Sequence, residues 1–577
     1  MDQSIPSNPG VIICGGGLAG LTLARQLKIT IPSIHIVVLE KNRFPFPPAT
    51  WKVGESTVEI AANYLKDVLQ LGAYFKNNQL TKLGLRYFLG DPTKCISERT
   101  EIGLSTYPPY DSFQIDRGLF ETDLWNILSD MGIELVDNIS VDDITITDGH
   151  ADNTVTFRDL TTDKTKTLSA RWIVDAMGRR NFLQRKFQLK ISVDENRSSA
   201  WFRVKGKFDY THFVPTTNTE WHKRVPLRAR YYSTTHFVGK GYWVWVIPLS
   251  SGNTSLGIVT HEKIHPIITY SSKHKAIEWL RRFEPKIAEH LEGFDIIDFL
   301  AIKNYSYSSK QVFSEQGWAC TGESGLFSDP YYSPGSNVIG FGNTMITRMI
   351  EAENQNYLDT ELINFFNNFI ISYNDWLIKT IHATYLLFDN QQVMFLSFVW
   401  DVAMGWSFVA SQMFNRTFLN PANNIELRKI TSKFFVVSSN LKELFVDWVN
   451  RSPNKVKFEF IDYLRIPFLH NIFQRNIKKQ HEPLDEYKKN EEILEKLAAA
   501  IFILAIEDIM PEQLEKFGNY FTVNPEAISL NKAEWYLNAP LIPSAEQYHN
   551  PVLDQLRAVI MPQELKKRID QFFNFTW

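Results

Sequence analysis

The first clear pattern along the chain is a change of period between residues 10 and 40. An unbroken apolar run, Val11–Cys14, meets Gly15; a helical pattern follows, and His35–Leu39 is again a short apolar run. Short continuous apolar runs suit strands buried on both faces, so this stretch predicts strand, glycine turn, helix and strand, one βαβ unit. From about residue 80 to 310 the period falls to two, in short segments such as Thr154–Arg158, Ala200–Val204 and Tyr242–Ile247 with polar turns between them. A sheet is predicted there. From about residue 343 the pattern changes to long amphipathic helices with few glycines, and neither an internal repeat nor a low-complexity linker interrupts the chain. The expected fold class is α/β with α+β elements: a Rossmann-like βαβ domain, an inserted antiparallel sheet facing the substrate, and a helical C-terminal region. The expected division is 1–345 and 346–577.

One apolar stretch, Val393–Phe414, is long enough to span a bilayer and carries a single charge, Asp401. A central aspartate costs about 2.5–3.5 kcal/mol on insertion scales, and Gly405, Ser397, Ser407, Ser411 and Gln412 weaken the stretch further. A buried helix is the preferred reading. A peripheral membrane contact and one wall of an apolar substrate cavity are the alternatives, and an integral membrane protein is not expected.

Composition narrows the partners. Sixty-one Lys and Arg against 64 Asp and Glu leave a net charge of −3, so there is no basic field for a phosphate backbone and nucleic acid is not expected. The three cysteines, Cys14, Cys95 and Cys320, are far apart and lack metal-ligand spacing; a reduced, cytoplasmic compartment is expected. The stretch MDQSIPSNPG shows neither a secretory signal nor a lipidation motif. An aromatic content of 14% fits a large apolar cavity and a well-packed core about equally.

Gly15-Gly16-Gly17-Leu18-Ala19-Gly20 sits between the first strand and the helix, and Glu40 ends the second strand twenty residues after Gly20. Gly15 permits the tight turn, Gly17 lets the backbone approach a pyrophosphate on the helix N-terminus, Gly20 allows close packing, and Glu40 can accept from a ribose hydroxyl. The fingerprint serves FAD and NAD alike. A second motif, His261-Glu262-Lys263-Ile264-His265, is a literal HExxH, but it follows the β-patterned Thr254–Thr260, and Pro266 disfavours the helix that would bring both imidazoles to one zinc ion. No metal is expected.

Three further segments decide between the dinucleotides. Phe113–Arg117, Trp172–Arg179, and Thr321-Gly322-Glu323-Ser324-Gly325 followed by Asp329-Pro330 resemble, in the same order, elements of the FAD-dependent hydroxylase-type superfamily. The resemblance covers roughly residues 10–345. It implies an FAD site formed by Gly15, Gly17, Ala19, Gly20, Glu40, Arg117, Asp175, Gly322, Glu323 and Asp329. Glu323 stands where the superfamily usually has Asp. No second nucleotide fingerprint is present, which implies that a separate flavin reductase supplies FADH2, although hydroxylases of the superfamily also reduce their flavin without one.

Within that superfamily, Trp243-Val244-Trp245-Val246-Ile247-Pro248 matches WxWxIP, the signature of flavin-dependent halogenases. On an alternating strand Trp243, Trp245 and Ile247 share a face, and Pro248 ends the ladder. The resemblance implies that the indoles wall the flavin side. It also assigns Lys82, in Thr81-Lys82-Leu83-Gly84, the family's substrate-facing lysine, and Gly54-Glu55-Ser56 the segment against the flavin ring. The plain alternative for that segment is a helix N-cap by Ser56 or Thr57. Halogenases bind halide on a Ser/Thr-Gly pair after the Asp-Pro element; here the sequence is Tyr331-Tyr332-Ser333-Pro334-Gly335-Ser336, and Pro334 has no N–H, so Ser333, Gly335 and Ser336 are the halide candidates. Tyr332 occupies the place of the glutamate of tryptophan-specific members, which favours a phenol, a pyrrole or a larger apolar molecule, free or tethered to a carrier protein. The implied activity uses FADH2, O2 and chloride or bromide to make hypohalous acid, held at Lys82. The alternative is an FAD-dependent monooxygenase that uses no halide.

Overall fold

The computed structural model describes residues 9–46, 52–149, 152–193, 196–421, 424–452, 458–536 and 538–560. Strand Val11–Cys14 is buried along its whole length, as a parallel strand covered on both faces must be. It pairs in parallel with Ile36–Leu39 on one side and Trp172–Asp175 on the other. Glu134–Val136 and Trp318–Cys320 extend the parallel sheet outward, and Phe313–Ser314 closes one edge antiparallel. The glycine turn leads into helix Leu18–Thr30 at the C-terminal end of the central strand.

A second sheet of eight strands runs Leu300–Lys303, Arg197–Val204, Thr254–His261, Tyr242–Pro248, Thr234–Gly239, Leu85–Leu89, Thr100–Ile102 and Phe460–Ile461. The inserted sheet was expected to be antiparallel, and it is mixed. Leu85–Leu89 pairs in parallel with Thr234–Gly239, and Phe460–Ile461 pairs in parallel with Thr100–Ile102. Each parallel partner comes from a distant part of the chain, and only a long connection can bring parallel neighbours together.

The helical layer begins at Gly335, and its first helix, Gly335–Asn354, contains the division expected at 345/346. Asn343 donates to Ala19 O, Thr22 Oγ1 and Tyr64 OH at 3.0 Å each, so this helix is fastened to the glycine-turn helix. Among the described residues one helix, Gln391–Asn415, is long and apolar enough to cross a membrane, and 83% of its most apolar window is buried inside the protein. Its charge is paired there: Asp401 meets Lys442 at 2.7 Å. The helix widens to a π turn over Gly405–Ala410, a distortion common beside functional cavities.

Candidate active site

The glycine turn is shaped for a pyrophosphate. A Cβ on Gly15, whose φ is +115°, would lie 2.4 Å from Ala176 O, and one on Gly20 would lie 1.9 Å from Gly15 O, so both glycines are demanded by the turn itself. A Cβ on Gly17 would meet nothing within 4 Å. Space is therefore open where the backbone faces outward. Helix Leu18–Thr30 has no side-chain cap and no acid in its first turn, which leaves its amides and dipole for an anion. Glu40 accepts from Gly16 N at 2.7 Å and is buried at the end of its strand. These donors and open spaces fit a dinucleotide.

Beyond the turn, an open cavity lies between the start of helix Leu18–Thr30 and the eight-stranded sheet. Gly54, Glu55, Ser56, Arg117, Gly322, Glu323 and Asp329 line it, together with Trp243, Trp245, Ile247, Ser333, Gly335 and Ser336. Arg117 donates to Val53 O at 2.6 Å and pairs with Glu121. Burial opposes ionisation of Glu121, but Arg117 and Lys52 outweigh it and hold the carboxyl below its ordinary value. Glu55 meets Arg203 at 2.7 Å, yet burial still pushes its carboxyl up. Glu323 pairs with Arg179 at 2.9 Å, and Ala19 packs against Gly322. Asp175 and Pro248 lie off this wall. The Asp175 carboxylate accepts from Met177 N and Leu183 N at 3.0 Å each, and burial pushes it up to about 6. Pro248 ends its strand opposite Thr254.

The tryptophans are locked by specific neighbours. Trp243 donates to Tyr385 OH at 2.7 Å, and Tyr385 donates to Asp329 at 3.1 Å, where Tyr305 donates at 2.6 Å and Arg197 approaches to 3.1 Å. Trp245 lies across Gly257, where a Cβ would come within 2.2 Å of the ring. His236 shares the cavity wall; burial pushes it down to about 3, so it is neutral.

Lys82 ends a short strand, Leu80–Lys82, paired antiparallel with Ser112–Gln114. Its side chain lines a second cavity, with Glu59, Tyr332, Trp376, Asp401, Trp406 and Tyr463 among its walls. Lys82 Nζ donates to Thr57 O at 2.8 Å and to Ser56 Oγ at 2.9 Å, and Ser56 lines the first cavity. The lysine therefore stands where the two cavities meet. Burial pushes its ammonium down from 10.5 to about 7, with Glu59 opposing the shift. Ser56 and Thr57 are not helix caps: helix Glu59–Asn63 is preceded by Val58 with no side-chain cap, and Thr57 exchanges bonds with Phe113 instead. Extended pairing with the strand around Phe113 takes precedence over capping.

The loop between the cavities is strained. Tyr332 and Ser333 have φ of +66° and +57°, a region that favours glycine. Ser333 N is committed to Pro330 O at 2.9 Å, and Tyr331 N to Asp329 Oδ1 at 2.8 Å. Pro334 precedes the helix, so the donors facing the first cavity are the Gly335 and Ser336 amides at its N-terminus and the Ser333 hydroxyl.

Several cavity residues carried no motif. Glu59 follows the Gly-Glu-Ser segment without a recognised spacing, Trp406 sits in the π turn, and Tyr463 lies far along the chain. Lys442, on helix Asn424–Arg451, answers Asp401 across the bundle, and Asp401 also accepts from Tyr332 OH at 3.1 Å. The HExxH histidines part: His261 ends strand Thr254–His261, whereas His265 Nε2 is bound at Lys240 O at 2.9 Å and Glu262 accepts from Ser198 at 2.8 Å.

No protein-family model matches the chain. Among curated proteins it is 28% identical over 430 residues to a flavin-dependent halogenase of Dictyostelium discoideum, a match covering 68% of this chain and 69% of that protein. It is 23% identical over 429 residues to a 1H-pyrrole-2-carbonyl-[peptidyl-carrier protein] chlorinase of Pseudomonas fluorescens, covering 68% and 86%. Among solved structures, the halogenase PltM in complex with phloroglucinol and FAD superposes over 87% of this chain and 97% of its own, with a TM-score of 0.60 at 15% identity. The myxobacterial chondrochloren halogenase superposes over 66% and 80%, with a TM-score of 0.51 at 20% identity. The chain thus shares its α/β fold with these halogenases over the superposed residues.

Proposed function

We propose that this relative of the flavin-dependent halogenases is an FAD-dependent enzyme that uses reduced FAD, O2 and chloride or bromide to halogenate an electron-rich, apolar or phenolic molecule. The observation that carries the reading is the buried Lys82 between a cavity reached from the glycine turn and a second, aromatic-walled cavity. Bound FAD, once reduced, supplies with O2 the oxidising equivalents that convert halide to hypohalous acid. The chain's own residues do the rest. Trp243 and Trp245 wall off the first cavity, so a bulky substrate is kept from the flavin side while a molecule the size of hypohalous acid passes. Lys82, poised near neutrality, offers an ammonium that hydrogen-bonds the acid's oxygen and polarises the halogen.

The second cavity shares Tyr373, Trp376, Thr380 and Val409 with an open groove between the helices of the C-terminal layer. A groove of that kind accommodates a small molecule whose remainder, or whose carrier, stays outside. A separate reductase as the source of reduced flavin is part of the proposal. A specific observation supports the second reading, a monooxygenase without halide: Ser333 N is already bonded and Pro334 has none, so the loop itself offers halide no amide beyond the Gly335 and Ser336 amides of the helix N-terminus.

Single-turnover oxidation of chemically reduced FAD by the purified protein, with and without bromide, separates the readings when an electron-rich phenol is present. Bromide-dependent bromination lost in Lys82→Ala supports halogenation. Oxidation indifferent to bromide, with an oxygenated product, gives the monooxygenase reading.

A further inference from the structure

Lys82 is not the only ionisable group on the wall of its cavity. Glu59 is half-buried there, on the first residue of helix Glu59–Asn63, two residues after the carbonyl of Thr57 that fixes Lys82. The rest of the wall is dominated by aromatic and aliphatic side chains, among them Tyr332, Tyr373, Trp376, Leu377, Val402 and Trp406. The other carboxylate on it, Asp401, is spent on Lys442 at 2.7 Å and on the Tyr332 hydroxyl at 3.1 Å. Among the described residues no cation stands in salt-bridge contact with Glu59. The charged and titratable groups facing it are Lys82 from the short strand and Tyr463 from the C-terminal region; Trp406 favours its ionised form by hydrogen bonding. An acid in an apolar cavity beside a lysine, with no salt bridge of its own, is arranged to receive a proton from a bound molecule.

We infer that Glu59 is a substrate-reading catalytic residue, accepting the hydroxyl proton of a phenol whose ring carbon is presented to Lys82. The inference rests on the halogenase reading and names the substrate class of that site. As the phenol O–H proton passes to the Glu59 carboxylate, the ring's electron pair forms the carbon–halogen bond. The oxygen–halogen bond of hypohalous acid breaks toward oxygen, which takes a proton from the Lys82 ammonium and leaves as water. The hydrogen on the halogenated carbon then passes to the Lys82 amine, and Glu59 returns its proton to the phenolic oxygen. Phenol and hypohalous acid become halophenol and water, and both side chains end as they began. Burial pushes Glu59 up, toward the protonated form, and burial pushes Lys82 down, so an ionised acid and a charged lysine coexist over a narrow range.

The test compares Glu59→Gln and Glu59→Asp with the native protein on a phenol and on its methyl ether, by two readouts. The first is calorimetric binding without flavin; Glu59→Gln is expected to bind the phenol several-fold more weakly and the ether as the native protein does. The second is halogenation. Glu59→Gln is expected to lose about 10²-fold on the phenol, to change little on the ether and to lose the acidic limb of the phenol's pH profile, with partial recovery in Glu59→Asp. Equal losses on phenol and ether, or unchanged phenol binding, would overturn the inference. Glu59-dependent phenol binding without halogenation of either compound would remove the halogenase reading and overturn the catalytic role with it, leaving Glu59 a phenol-binding group only, whereas bromination of the ether alone by the native protein would overturn the phenol assignment and keep the halogenase reading.

Discussion

At the glycine turn the decisive contacts are made by backbone; the cavity at Lys82 is walled by side chains from segments far apart in the chain. At the glycine turn a single added carbon on Gly15 or Gly20 collides with carbonyl groups, and on Gly17 it enters open space. At Lys82, Glu59, Trp406 and Tyr463 converge from three segments, and a π turn aims one of them. A backbone cradle tolerates few residue types and so writes itself into the sequence. A side-chain cavity tolerates many, and its specificity can change while the cradle stays.

The sharpest way to break this contrast is at the lysine that joins the two cavities. Lys82→Met should cost about 10²–10⁴-fold in halogenation while FAD affinity, read by flavin fluorescence, stays at the native value. Loss of FAD binding would put Lys82 in the cradle instead. The pH dependence follows from the direction of its shift: in the proposed transfer step Lys82 acts as the ammonium, so native activity should fall as pH rises through about 7. Stability carries the opposite slope. Between about 7 and 10.5 the unfolded chain holds a proton on this lysine that the folded chain has released, so this group makes stability rise with pH across that window. Lys82→Met should flatten that rise in denaturation curves measured at pH 7 and pH 9.

The cradle makes two predictions of its own. Gly20→Ala should destabilise the protein by about 1–3 kcal/mol or more, because the methyl group would lie on Gly15 O. Gly17→Ala should leave thermal stability close to native and weaken FAD by about tenfold, or ~1.4 kcal/mol, since its methyl group occupies only ligand space. Equal effects of the two substitutions on stability would mean that the turn is not built around an anion.

The same contrast decides what could be read from the sequence. The glycine turn and Glu40 could be read from local spacing, and the tryptophan strand and Lys82 were singled out by the resemblance of short segments to the halogenases; the structure places Trp243 and Trp245 on the first cavity and Lys82 on the second. Glu59 was not legible, because its relation to Lys82 arises from the pairing of residues 55–57 with 113–115, and the same pairing removed the capping role suggested for Ser56 and Thr57. The parallel pairs in the eight-stranded sheet were illegible for a similar reason: alternation tells which face a strand buries and says nothing about its neighbour's direction. The apolar helix Gln391–Asn415 had a membrane-like composition, and its partner for Asp401 lies on another helix, Lys442, which no local pattern announces.

The smallest expected effect lies in the loop between the cavities. Pro334 has φ −80° and ψ −12°, a conformation open to any residue, so Pro334→Thr should be accommodated without strain. It would add an amide beside those of Gly335 and Ser336 at the helix N-terminus, where the dipole already favours an anion. Halide affinity, measured from the bromide dependence of bromination, should tighten a few-fold, the scale of one added hydrogen bond of about 1 kcal/mol. Because Tyr332 and Ser333 already hold left-handed backbone, the gain depends on the loop keeping that shape. An unchanged bromide dependence with intact folding would move the halide site off this helix end.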